Sequence, residues 1–153
     1  PDHVLVALRR IIRATDLHSR KLGKKTGLTT PQLVIIKAVG DLKDPTVSDI
    51  AKAVSLSLAT VTTILNRLER NGLVNRVRSS VDRRRVIVTL TEAGQTLKGS
   101  APKPLQDSFV DRFSRLASWE QHSIVASLER VAAMMDADDL DAAPLLASGE
   151  DVV

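Results

Sequence analysis

Residues 46 to 90 read TVSDIAKAVSLSLATVTTILNRLERNGLVNRVRSSVDRRRVIVTL, and within them the hydrophobic period drops from about 3.6 to 2 at Gly72. Thr46 can cap a helix, with Asp49 three positions on in its favourable first turn. That helix is short and ends near Val54. Ser55, Leu56 and Ser57 form a tight connection into a second helix with Val61, Ile64, Leu65 and Leu68 on one face, and Asn71-Gly72 supplies its left-handed stop. Beyond it, Leu73 to Arg78 and Arg85 to Leu90 alternate and are rich in Val and Ile, predicting two strands around a polar loop, Ser79 to Arg84.

A short helix, a three-residue turn, a second helix and a basic hairpin make a winged helix-turn-helix, in which the second helix enters the major groove of DNA. With its apolar face toward the core, helical geometry turns Ala59, Thr63, Asn66 and Arg70 outward, with Thr60, Thr62 and Arg67 beside them. Small hydroxyl and amide side chains let a helix lie close to base edges, and a methyl of Ala or Thr can touch thymine. Arg67 and Arg70 are placed to hold phosphates. From Arg67 to Arg85 there are seven arginines against Glu69 and Asp82. The forked guanidinium suits phosphate and a narrow minor groove, which makes Arg78, Arg83, Arg84 and Arg85 DNA-contact candidates. Asp82 reads as a brace for Arg76 or Arg84.

Outward from this segment the chain is helical. Val4, Leu8, Ile11, Ile12, Thr15 and Leu22 lie at three-and-four spacing on one long amphipathic helix that ends at Gly23 and Gly27. Thr29, Pro31 and Gln32 start a second helix, to be stopped by Gly40 near Val39. Thr91 and Glu92 restart helix after the second strand, and Gly99, Pro102 and Pro104 predict a break near Lys103. Ser118 and Gln121 suggest a capping box for a last helix through about Met135, with Ile124, Leu128 and Val131 on one face. The expected fold is therefore mainly α with a small β-hairpin wing. A DNA-binding lobe at 28–97 joins a helical dimerisation lobe at 1–27 and 98–136, followed by an acidic tail at 137–153. Val4, Leu8, Ile11, Ile12, Ile124, Leu128 and Val131 are the expected dimer contacts, because apolar faces in so small a chain are best buried against a second copy.

The length of 153 residues suits one compact unit, and Phe109, Phe113 and Trp119 are its only aromatic residues, so the core must be aliphatic. The net charge of +4 hides a division: residues 1 to 100 hold 18 Lys/Arg against 8 Asp/Glu, and the remainder 4 against 10. A basic body favours a polyanionic partner. The lack of cysteine excludes disulfides and thiolate zinc sites. His3, His18 and His122 are too scattered for a metal, and no phosphate loop, nucleophile elbow or distinctive carboxylate pair points to catalysis. The expectation is a non-enzyme with no metal or cofactor. With no signal-peptide core or apolar run long enough to span a bilayer, it reads as cytoplasmic with no membrane partner.

Gly72-Leu73-Val74, Asp82-Arg83-Arg84 and Leu90-Thr91-Glu92-Ala93-Gly94 together resemble the signature of the MarR family of transcriptional regulators. The resemblance covers roughly Leu28 to Leu97. It implies a homodimer on double-stranded DNA with a pseudo-palindromic operator, usually a repressor released by a small-molecule effector. It places Arg84 as the wing-tip arginine of the minor groove, Asp82 as the wing carboxylate, and Ser57 to Arg67 as the groove-reading segment. Thr63 stands where many members carry a longer basic side chain, and Arg85 where many carry a small one. Leu8 to Ser19 and Met134 to Ala137 resemble a branch associated with genes for compatible solutes such as ectoine. The residues leave the ligand site open: His18 and Asp16 fit a ligand contact or an ordinary surface or interface. A competing reading is a winged-helix architectural or protein-interaction module that uses its acidic tail.

Overall fold

The computed structural model describes residues 2–137. In chain order the elements are α1 (Asp2–Thr26), α2 (Thr30–Asp41), α3 (Val47–Val54), α4 (Leu58–Arg70), β1 (Val74–Arg78), β2 (Val86–Leu90), α5 (Glu92–Ser100), α6 (Leu105–Phe113) and α7 (Ser118–Met134). Mainly α with a two-stranded wing is thus the observed architecture. The acidic stretch from residue 138 onward lies outside the described residues.

Local signals set most boundaries. α1 ends at Gly27, whose φ of +69° is accessible to glycine at no Cβ cost. Thr29 and Gln32 form a reciprocal capping box on α2, as do Thr46 and Asp49 on α3. Ser55, at φ 55°, closes α3 in a left-handed turn, and Ser57 caps α4 by accepting from the Thr60 N–H. Gly72 (φ +70°) then turns the chain into the hairpin.

Two expected boundaries move. Gly40 does not stop α2, which continues to Asp41. A helix tolerates an interior glycine at about 1 kcal/mol, and here the bare Cα makes room for a crossing side chain: a Cβ on Gly40 would lie 2.7 Å from Nζ of Lys98, whose ammonium is 2.6 Å from the Asp41 carboxylate. Nor do Ser118 and Gln121 form a capping box. The N-cap of α7 is Ala117, whose N–H donates to the Glu120 carboxylate, while Gln121 donates to the carbonyls of Phe113 and Leu116 across the α6–α7 turn. The expected break falls between α5 and α6, where Pro104 is fully buried.

The strands pair antiparallel, Val74 opposite Leu90 through Arg78 opposite Val86, and the Val88 N–H also bonds the Pro45 carbonyl. Val74 and Val88 share the face turned to the core. The end of the hairpin is locked to its start: the Thr91 hydroxyl donates to the Gly72 carbonyl at 2.6 Å, and its N–H to that of Leu73 at 3.1 Å. Gly94 completes the joint, since a Cβ there would sit 2.1 Å from the Leu73 carbonyl oxygen.

The core is wholly aliphatic: Leu28, Ile35, Ile36, Val39, Ile50, Ala51, Val54, Val61, Ile64, Leu65, Leu68, Leu73, Val74 and Val88. All three aromatic residues lie outside it, with Phe109 and Phe113 stacked on α6 at 5.6 Å. Neither α6 nor α7 buries a residue. An ion pair between Lys37 of α2 and Asp107 ties α6 to the core lobe. Among the described residues no single helix is long and apolar enough to cross a membrane.

Candidate nucleic-acid interface

Helix α4 presents its polar side as the periodicity requires, with Val61, Ile64, Leu65 and Leu68 buried. Ala59, Thr63, Asn66, Arg67 and Arg70 are exposed, Thr60 and Thr62 half-buried. Helical spacing does not disclose what the hydroxyls do. The Thr62 hydroxyl donates to the Leu58 carbonyl at 2.7 Å and the Thr63 hydroxyl to that of Ala59 at 3.0 Å. Ser57 and Thr60 share a 2.7 Å hydroxyl–hydroxyl bond at the cap. Arg70 Nε donates to the Asn66 carbonyl. Leu58, absent from the expected contact set, is 56% exposed at the start of the helix.

Two arginines of the wing are tied to neighbouring helices. Arg76 Nη1 donates to Glu69 Oε2 at 2.7 Å, joining β1 to α4. The brace on Arg76 is therefore Glu69 and not Asp82, a correction that follows from strand register, since Arg76 shares the inward face with Val74. Asp82 acts on its own loop: Oδ1 accepts the Arg84 backbone N–H at 3.0 Å, and its carbonyl accepts that of Arg85. Ser79 Oγ accepts the N–H groups of Val81 and Asp82, so the tip is a compact hydrogen-bonded turn.

Arg85, expected among the DNA contacts, has its Nη2 3.6 Å from Oδ2 of Asp49 and links the loop just before β2 to α3. Asp49 thus serves both the α3 cap and the wing. The backbone N–H and hydroxyl of Thr46, with Arg85 and Lys52 nearby, hold its carboxyl below its ordinary pKa. Arg67, Arg70, Arg78, Arg83 and Arg84 are exposed and have no carboxylate partner among the described residues. Glu69 and Asp49 were missing from the expected site, because both braces join elements whose approach is decided only in the fold.

Away from the wing, the expected dimer residues Val4, Ile11, Ile12 and Leu128 are about half-exposed or more, Ile124 is 36% exposed, and Leu8 and Val131 are half-buried. Leu5, Leu17, Val110 and Trp119 extend the exposed apolar surface. An open groove of about 530 Å³ lies between Lys25 and Thr26 of α1 and Glu92, Ala93, Thr96, Leu97 and Ser100 of α5. His18 Nε2 and Thr30 Oγ1 are buried without a hydrogen-bond partner among the described residues. Asp16 pairs with Arg20 and Arg13 along α1. No group of three metal-ligating side chains occurs among the described residues.

The MarR family model matches residues 28–86, from the core residue Leu28 to the first residue of β2. The chain is similar to the uncharacterized HTH-type transcriptional regulator YwhA of Bacillus subtilis, 36% identical over 87 residues. That match covers 57% of this chain and 63% of YwhA, so the chain spans less than two thirds of this relative's length. Solved structures match over more of the chain. The MepR–DNA complex of Staphylococcus aureus superposes with a TM-score of 0.59 at 24% identity, over 84% of this chain and 94% of that one. PcaV of Streptomyces coelicolor in complex with its natural ligand superposes with a TM-score of 0.56 at 25% identity, over 88% and 93%. The winged helix-turn-helix with flanking helices is thus the fold of this chain.

Proposed function

We propose that this chain is a sequence-specific DNA-binding transcriptional regulator that acts as a homodimer on a pseudo-palindromic operator, and that it represses. The observation that carries the reading is the division among the arginines. Arg76 and Arg85 are tied by carboxylates of α4 and α3, while Arg78, Arg83 and Arg84 of the wing, with Arg67 and Arg70 on α4, have no carboxylate partner among the described residues and are open to an external anion. Five guanidinium groups without a carboxylate partner among the described residues, beside a small, polar helix face, suit phosphate and groove contact. The match to a structure determined with DNA supports the same role.

In this reading residues 28–97 form the DNA-binding lobe, and α1 with α6 and α7 forms the dimerisation lobe. The exposed apolar side chains of α1 and α7 support the latter. The α1–α5 groove and the two unpartnered polar atoms, His18 Nε2 and Thr30 Oγ1, support a small-molecule effector held where the lobes meet. The resemblance of Leu8 to Ser19 to the compatible-solute branch favours control of such genes, and ectoine or glycine betaine as first effectors to try.

Fluorescence anisotropy with DNA from upstream of the chain's own gene, against a scrambled duplex, tests the reading as salt is raised. The native duplex should bind more tightly near physiological salt, and Arg84→Ala should weaken that binding by roughly 1–3 kcal/mol. Equal, salt-labile binding to both duplexes would reduce the basic face to nonspecific electrostatics and favour an architectural or protein-binding role.

A further inference from the structure

The α4 face offers bases methyl groups more than hydrogen-bond donors. A threonine hydroxyl has one proton, and those of Thr62 and Thr63 are already given to the carbonyls of Leu58 and Ala59. Donation to a carbonyl four residues back also holds a threonine in one χ1 rotamer, which fixes the position of its methyl group. Ser57 and Thr60 share one hydroxyl–hydroxyl bond at the cap, which leaves a single hydroxyl proton between them. Beyond that cap, among the uncharged polar residues of α4, Asn66, exposed and with no side-chain bond among the described residues, is the one free to both donate and accept. Ala59 is directly exposed beside Thr63, and Leu58 widens the apolar surface at the N-terminal end of the helix.

The base pairs differ in what they need from such a face. Guanine presents two acceptors, N7 and O6, and needs a pair of donors. Adenine presents a donor and an acceptor that match an Asn amide, and thymine presents its 5-methyl group. Besides the one hydroxyl proton at the cap, too few for guanine's two acceptors, the further donors on α4 are Arg67 and Arg70, C-terminal to Asn66 in the last turn, whereas base edges are contacted by the N-terminal part of a recognition helix. Resting on the DNA-binding reading above, we propose that α4 reads an A·T half-site: thymine methyl groups packed against Ala59, Thr62 and Thr63, and one adenine held by Asn66.

The test starts from selection of duplexes from a random library by the full-length chain. Enrichment of no sequence would remove the DNA-binding reading itself, and this inference with it. Given an enriched site, each thymine of the half-site is replaced by deoxyuridine, which loses only the methyl. A contacted thymine should cost about fourfold in affinity. Thr63→Ser, which keeps the hydroxyl and loses the methyl, should show the same loss on the thymine duplex and no further loss on the matching uracil duplex. Thr63→Val, which keeps the methyl position, should bind like the parent. Asn66→Ala should relax selection at a single A·T pair by at least about fivefold. Three results would overturn the inference while leaving sequence-specific binding intact: a G·C-rich half-site, uracil duplexes bound as tightly as thymine ones, or a Thr63→Val variant as weak as one that has lost its contact.

Discussion

Helices α4 and α7, of 13 and 17 residues, each carry apolar residues at three-and-four spacing, yet these end in opposite states. In α4 the apolar face is closed by its own chain, with Val61, Leu65 and Leu68 at 0% exposure and Ile64 at 6%. In α7, Ile124, Val125 and Leu128 remain 36–47% exposed and no residue is buried. The difference lies in the neighbours. α4 is enclosed by α2, α3 and β1, whereas α7 is tied to the α6 turn through Gln121 and leaves its apolar stripe open. One half of the molecule closes its apolar face within the chain; the other leaves exposed the surface that a second copy would cover in the proposed dimer.

That contrast can be broken most sharply with paired truncations. Leu65→Ala should lower the unfolding free energy by roughly 2–5 kcal/mol at every protein concentration, as for other fully buried leucines. Leu128→Ala should instead change only the concentration-dependent part of stability, read from urea melts at two dilutions, because in the proposed dimer the lost contact lies between subunits. Equal, concentration-independent losses would mean that α7 is buried within its own chain.

A smaller effect is expected inside the closed region, at the foot of the wing. Gly94→Ala places a methyl against the Leu73 carbonyl, with no flexible side chain to yield. The Gly72–Thr91 joint should open at a cost of about 1–3 kcal/mol, visible as faster amide exchange of β1 and β2 than of α2. Uniform loss of protection across the DNA-binding lobe would show that the wing does not open separately.

The smallest effect concerns Asp49, tied to Arg85 of the wing. Its carboxyl is held below its ordinary pKa, first by the Thr46 backbone N–H. A depressed folded-state pKa contributes stability that is present above the unfolded value of about 4 and is lost as pH falls through the lowered one. Asp49→Asn should therefore flatten the decline in stability below about pH 4, measured by denaturant titration, while stability at neutral pH falls only slightly. An unchanged acid slope would assign that decline to other carboxylates.

Much of the fold was legible because it rests on local chemistry. Thr29 with Gln32, and Thr46 with Asp49, announce helix starts within four residues, and the shift to alternation after Gly72 marks the hairpin. Local signals mislead where two of them compete. Ser118-x-x-Gln121 and Ala117-x-x-Glu120 overlap, and the second wins because Gln121 is drawn across the turn to Phe113 and Leu116. Gly40 misleads for a related reason, since its bare Cα serves the distant Lys98.

The candidate site divides in the same way. Sequence by itself determined which residues of α4 face outward and how the arginines cluster from 67 to 85, because both follow from helical period and composition. Only the tertiary structure decided which arginines are held by Glu69 and Asp49 and which stay free, and which threonine hydroxyls are already engaged. The physical reason is range. A cap or a period is set within one or two turns of chain, while an ion pair between wing and helix exists only once the packed core has brought β1 and β2 within a few ångströms of α3 and α4.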